Sequence, residues 1–186
     1  MPDLLSILIK KAGSKEAATR LLYKNRELLG IDCEPSDPGL VALSLCSLGV
    51  PPRSVSLLLS WQEFEAFSAN LIRSSGYQVR QDVRLRKPKA QIDLAAFGTS
   101  AILSVDCKHW KRDAPPSTLA KLATDQLRRS ALLRQTLSDR RPILSAILTL
   151  TEQTERFVDG VAVVSLYTLR DFLRSVEEYK DLLTEC

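Results

Sequence analysis

The chain has 186 residues, 45% hydrophobic and 26% charged, with a net charge of +4, which fits one globular domain of ordinary size or a main domain with a short appendage. No apolar run is long enough to span a bilayer, and the start, MPDLLSILIKKAG, lacks a basic segment and cleavage site, so it reads as a first helix in a cytoplasmic protein. The four cysteines, Cys33, Cys46, Cys107 and Cys186, form no CxxC pair, which argues against a zinc site or a disulfide framework. Charge is unevenly placed: from Gln78 to Arg141 there are 14 Lys or Arg against six Asp, inside a chain otherwise slightly acidic. A basic middle suits a polyanionic partner, but on charge alone a solvated basic surface is the better reading.

Residues 3 to 49 read as helical. Ser14 opens SKEAATRLLYKNRELLG, closed by Gly30, and Ser36 precedes DPGLVALSLCSLG, stopped by Gly49 and Pro51-Pro52. This places a domain boundary in Gly49–Ser54, with a helical segment over 1–52 and the main domain over 53–186. Helical packing or a dimer contact is the expected role of the segment, since no recognition-helix pattern stands out. Ser60 and Glu63 then make a capping box for a helix from Trp61 to near Gly76. YQVRQDVRL, QIDLAAF and AILSVDC read as three strands, the last two joined by a turn around GTS. A long helix follows Pro115-Pro116-Ser117, then the short apolar strands PILSAILTL and GVAVVSL, and a closing helix LRDFLRSVEEYKDLL. The order α-β-β-β-α-β-β-α predicts an α/β domain with a central mixed β-sheet flanked by helices.

Each strand of the central hairpin carries an aspartate where an apolar residue would pack better. Side chains alternate along a strand, so Asp106 and Lys108 share a face and Cys107 points to the other. With the turn centred between Thr99 and Ser100, Gly98 faces Ala101 and Asp93 faces Asp106. Opposed carboxylates repel unless a cation lies between them, and hard oxygens on rigid strands suit magnesium. A one-residue change of register would put the two aspartates on opposite faces. Glu65 lies at the margin of the apolar Trp61–Ile72 stripe and, unlike Glu63, has no capping task; an acid there calls for a partner.

The pattern D-x12-D-x-K, preceded by an acid on a helix, resembles the PD-(D/E)xK nuclease superfamily, in particular the Mrr-type restriction endonucleases and the archaeal Holliday junction resolvases. FEAFSANLIRSSGYQV resembles the family's opening helix, QIDLAAFG the strand of the first metal-binding aspartate, and SVDCKHW the "(I/V)xCK.W" strand. ILSAILTLTEQ and GVAVVSLYTLRDFL resemble the closing strands and helix, so the likeness covers roughly residues 60 to 175. It implies a restriction-endonuclease-like fold and a metal-dependent DNA endonuclease. Asp93, Asp106 and the Cys107 carbonyl would hold Mg²⁺ (Mn²⁺ may substitute), with Glu65 completing the shell, and Lys108 would orient the attacking water. Asp106 stands where many relatives carry Glu or Gln, a shorter reach that the motif allows. The resemblance also implies double-stranded or branched DNA as partner and, for resolvase-like chains, a homodimer.

Around these positions Arg80, Arg84, Arg86, Lys87 and Lys89 could follow the DNA backbone, extended by Lys111, Arg112, Arg128 and Arg129. Gln126 falls where some branches of the superfamily place a glutamine near the active site; an exposed helix position is an equal reading. His109, the sole histidine, suits packing or a phosphate contact better than base catalysis, and Trp110 suits a core or rim position. The alternative function is a nucleic-acid-binding protein that keeps the fold without cleaving; the filled Glu65, Asp93, Asp106 and Lys108 positions argue against it. A purely structural chain, its acids paired with arginines, is the third reading.

Overall fold

A computed structural model describes residues 3–29 and 34–186. Gly30, expected to close the second helix, and Cys33 lie outside the described residues. By its internal packing the chain divides into two compact units, one ending at Ser74 and one starting at Ser75.

The first unit is all helical: α1 (Leu4–Ala12), α2 (Lys15–Leu29), α3 (Pro38–Ser47), α4 (Pro52–Ser56) and α5 (Trp61–Ser74). The apolar α3 is its centre, buried from Gly39 to Leu45 and packed against each of the other four helices. Its start is capped by Asp37, which directly precedes Pro38 and accepts from the Leu40 amide, rather than by Ser36 one residue further out. Gly39 permits α3 to approach α5 closely, since a Cβ there would lie 3.1 Å from the Ala66 backbone and the Asn70 amide. The capping box at α5 is formed as expected: the Ser60 amide donates to Glu63 Oε2 at 2.7 Å and the Glu63 amide to Ser60 Oγ at 3.3 Å.

The second unit holds a six-stranded mixed sheet, in the order β1-β2-β3-β4-β6-β5. Its strands are β1 (Gln78–Arg86), β2 (Lys89–Phe97), β3 (Ile102–Lys108), β4 (Ile143–Thr149), β5 (Phe157–Val158) and β6 (Val161–Ser165). The first three form an antiparallel meander; β3, β4 and β6 run parallel. The long helix α6 (Pro116–Thr136) makes the right-length crossover between β3 and β4, with Pro116 in its first turn. Leu119, Ala123, Gln126, Ser130 and Leu133 form its buried stripe, at helical spacing. Its apolar members pack on Ile92, Ala95, Ile102, Ile143 and Ile147 of the sheet. Strands β4 and β6 are buried at every position, as expected of apolar runs in a parallel sheet.

Two details bear on the centre of the sheet. The β2–β3 hairpin has the expected register, Phe97 against Ile102 and Leu94 against Val105, with the Gly98 amide donating to Ala101 O at 3.0 Å. The β1–β2 ladder pairs Gln81 with Leu94 and Val83 with Ile92 but passes over Asp82 and Asp93, and Asp82 has a left-handed φ of 49°. Asp93 therefore sits where both neighbouring ladders are interrupted.

The chain end differs from the expected closing helix. Helix α7 covers only Leu169–Arg174, and residues 175–183 fold into tight turns and a 3₁₀ turn at Lys180–Leu182. Tight bonds such as Glu178 N to Ser175 O and Leu182 N to Tyr179 O replace the α-helical ladder. This tightening brings Tyr179 against Phe172 and Phe157, with ring centroids 5.8 and 5.6 Å away.

Strands β5 and β6 are joined by Asp159-Gly160, with φ of 49° and 78°, the two positive angles of a type I′ hairpin turn. A Cβ at Gly160 would also collide with the Thr184 side chain. Gly160→Ala should therefore cost about 1–3 kcal/mol in urea unfolding; an unchanged midpoint would contradict this reading of the turn.

Candidate active site

The site forms where β2 and β3 part. Their ladder ends at Leu94 and Val105, so the next residues in register, Asp93 and Asp106, face the gap with their side chains. Asp93 Oδ2 accepts from the Cys107 amide at 2.7 Å, taking the place of a strand carbonyl. This bond fixes the Asp93 carboxylate beside β3. The other edge of β3 stays paired in parallel with β4, Asp106 against Ile147 and Lys108 against Thr149, so the strand is rigid where its acid projects.

Asp106 is 2% exposed. A carboxylate at that depth requires cations, and two are supplied. Lys108 Nζ lies 2.5 Å from Oδ2, as expected for residues two apart on one strand face, and Arg129 Nη1 lies 3.1 Å from Oδ1. Each oxygen of the carboxylate thus has a cation beside it. Burial pushes the Asp93 carboxyl above the usual aspartate range; the Cys107 amide opposes this, the Asp106 charge adds to it, and Lys108 and Arg129 counter it.

Helix α6 supplies the roof. Gln126 is fully buried, not exposed, and its Nε2 donates to Ser104 O at 2.7 Å and Ser104 Oγ at 3.0 Å, one alternation before Asp106. One turn further on, Ser130 Oγ meets Ser145 Oγ at 2.6 Å. Four buried side-chain polar atoms lack a hydrogen-bond partner among the described residues. Two of them, Gln126 Oε1 and Arg129 Nε, lie on helix α6, and a third, Asp106 Oδ2, is met by the Lys108 ammonium alone. Native interiors satisfy nearly all such atoms, so their concentration marks a place built for a further polar group. The carboxylates of Asp93 and Asp106 are hard oxygen donors that fit a divalent cation, which would compete with Lys108 or Arg129 for an oxygen of Asp106.

Arg129 is the residue that sequence reasoning misplaced. From the sequence it belongs to the surface basic footprint, whereas its side chain is only 19% exposed and faces Asp106. The signal was present in α6: the buried stripe at 119, 123, 126, 130 and 133 includes two polar residues, and Arg129 lies next to both. Such polar interruptions of a core stripe need partners on the opposing sheet.

The remaining site residues are distributed as follows. Glu65 is half-buried on α5 in the helical unit. No group of three His, Cys, Asp or Glu placed to hold a metal ion occurs among the described residues. Cys107 is buried, with its amide committed to Asp93. His109 and Trp110 are half-buried at the exit of β3, and Lys111 and Arg112 are exposed beyond them. That loop is tied down: the Ala114 amide donates to Gln153 Oε1 at 2.7 Å, Thr151 Oγ1 to Trp110 O at 3.3 Å, and the Asp113 carboxylate accepts from Thr154. Arg86, Lys87 and Lys89 are exposed at the tip of the β1–β2 hairpin. Arg80 is exposed with its guanidinium 4.8 Å from the Phe97 ring centroid, while Arg84 is engaged by Asp82 at 2.7 Å and Arg128 by Asp125 at 4.0 Å.

A mixed sheet whose central hairpin presents two acids and a lysine, crossed by a helix into parallel strands, is the fold of restriction-endonuclease-like nucleases. Residues 57–176 match the family model of the Mrr catalytic domain, described as a restriction endonuclease, and the chain belongs to that family. No curated protein matches the chain. Among solved structures, protein VC1899 from Vibrio cholerae is similar at 13% identity with a TM-score of 0.41; the match covers 98% of this chain and 57% of that one. This chain thus spans little more than half the length of that protein. No helix among the described residues is long and apolar enough to cross a membrane.

The raised proton affinity of Asp93 has a consequence for stability. Its ionised form is penalised by folding, so the wild type should lose stability as pH rises through the titration of this group. Asp93→Asn keeps an acceptor for the Cys107 amide and removes the charge. Its thermal midpoint at neutral pH should equal or exceed that of the wild type, and a clear fall would show that the carboxylate is needed for folding.

Proposed function

We propose that this chain is a divalent-metal-dependent endonuclease that hydrolyses phosphodiester bonds in DNA. The observation that carries the proposal is the pair Asp93 and Asp106 at the parted end of β2 and β3, beside Lys108 and a cluster of unsatisfied polar atoms. Mg²⁺, or Mn²⁺ in its place, would be held by Asp93, Asp106 and the Cys107 carbonyl, with Glu65 assigned to the shell by the family pattern. When bound, the ion supplies Lewis acidity at the scissile phosphate and lowers the pKa of a water. The chain's own residues do the rest. Lys108, tethered next to Asp106 on one strand face, orients the attacking water and stabilises the charge that develops on the phosphate oxygens. Gln126 braces Ser104 and so sets the position of β3 one alternation away. Arg86, Lys87 and Lys89 at the hairpin tip, with Lys111 and Arg112 on the tethered loop, hold backbone phosphates.

Branched or duplex DNA is the substrate class, in a restriction-like or resolvase-like role in a reduced cytoplasm. The nuclease domain runs from residue 53 onward, and the helical segment before it serves packing or a homodimer contact.

Labelled linear duplex, four-way junction and single-stranded DNA incubated with Mg²⁺ or EDTA test this directly. Cleavage should require the ion and fall by about a hundredfold or more in Asp106→Ala and Lys108→Ala. A smaller loss is expected in Glu65→Gln. Metal-independent cutting, or cutting that survives Asp106→Ala, would refute the assignment. Alanine at Arg86, Lys87 or Lys89 should weaken binding to all sequences alike and reduce the salt slope by about 1 for each phosphate contact removed. An unaltered slope would take the hairpin tip out of the DNA footprint.

A further inference from the structure

Arg129 does more than neutralise a buried acid. Its guanidinium touches Asp106 Oδ1 through one nitrogen, at 3.1 Å, while its buried Nε has no acceptor among the described residues. A guanidinium offers five N–H donors in a fixed fork, so an arginine held this way has donors to spare for a second anion. Lys108 faces the other oxygen of the same carboxylate. Asp106 thus has a cation on each oxygen, and a divalent ion that takes this carboxylate must compete with one of them. Lys108 is on the same strand and stays adjacent whatever Asp106 does. Arg129 comes from α6, across a layer of packing, and its hold on Asp106 is a single contact.

We infer that Arg129 is an exchangeable counter-cation: it holds Asp106 until a divalent ion takes that carboxylate, and its guanidinium then turns to a non-bridging oxygen of the DNA phosphate. The inference rests on the nuclease reading and adds to it a coupling between metal and DNA binding. Divalent ions release the arginine, the released arginine strengthens phosphate binding, and by reciprocity DNA strengthens metal binding. Arg rather than Lys suits the task because the planar fork can leave a carboxylate and meet a phosphate with the same geometry.

Calorimetric titration of Ca²⁺ into the full chain, with and without a short DNA duplex, tests this without relying on turnover. The proteins compared are the wild type, Arg129→Gln, Arg129→Lys and Asp106→Asn. Arg129→Gln should bind Ca²⁺ alone more tightly, on the order of fivefold or more, since the competitor is gone. It should also lose most of the increase in DNA affinity that Ca²⁺ gives the wild type. Arg129→Lys keeps the charge and the fold, so it should bind Ca²⁺ as the wild type does but show reduced coupling to DNA. Ca²⁺ affinity weakened by Arg129→Gln, or coupling unchanged in both variants, would overturn the exchange and leave Arg129 a fixed structural partner. If the wild type itself shows no Ca²⁺ binding that Asp106→Asn removes, the nuclease reading fails, and the exchange fails with it.

Discussion

Asp106 is the constraint around which the second unit is arranged. A carboxylate 2% exposed in the middle of a sheet costs several kcal/mol of desolvation in the absence of partners. The fold answers with one cation from its own strand and one from the crossover helix. This fixes the rotation of α6: the face that carries Gln126, Arg129 and Ser130 must look at β3 and β4, and the flanking leucines and alanines then fill the space over the hydrophobic parts of the sheet. Replacing Asp106 together with Lys108 and Arg129 by hydrophobic residues of similar size would relieve the sheet of a burden, so the presence of the charged set argues for chemistry rather than stability.

The topology places the second acid. Only an antiparallel partner joined by a tight turn can put Asp93 next to Asp106 in register, and only interrupted ladders can free its side chain to turn toward β3. The parallel pairing of β3 with β4 does the opposite job and holds the Asp106 strand still. Mixed character is therefore what makes the site possible: the meander brings the acids together, and the crossover through α6 brings the arginine and glutamine over them.

Much of this was legible in the sequence because the signals were local. The capping box at Ser60 and Glu63, the two-residue turn at Thr99 and Ser100, and the alternation that puts Asp106 and Lys108 on one face depend on neighbours within a few residues. What escaped depended on tertiary packing. Arg129 reads as one more surface arginine until α6 is laid on the sheet. The closing helix carries a good helical pattern from Leu169 onward, but after Arg174 the chain tightens into turns that pack Tyr179 against Phe172 and Phe157. Gln126 could be assigned to either face from its neighbours alone; the buried stripe of α6 decides it. Glu65 is carried by a helix of the first unit, and its place in the metal shell is a proposal from the family pattern.

The central claim is that Asp93 and Asp106 together form the cation site. Binding of Mn²⁺, followed by the loss of its free-ion electron paramagnetic resonance signal, measures this in the wild type, Asp93→Asn and Asp106→Asn. The account predicts a bound ion in the wild type and a large loss of affinity in each variant, with Asp93→Asn remaining folded. Mn²⁺ binding that is unaffected by either substitution would contradict it.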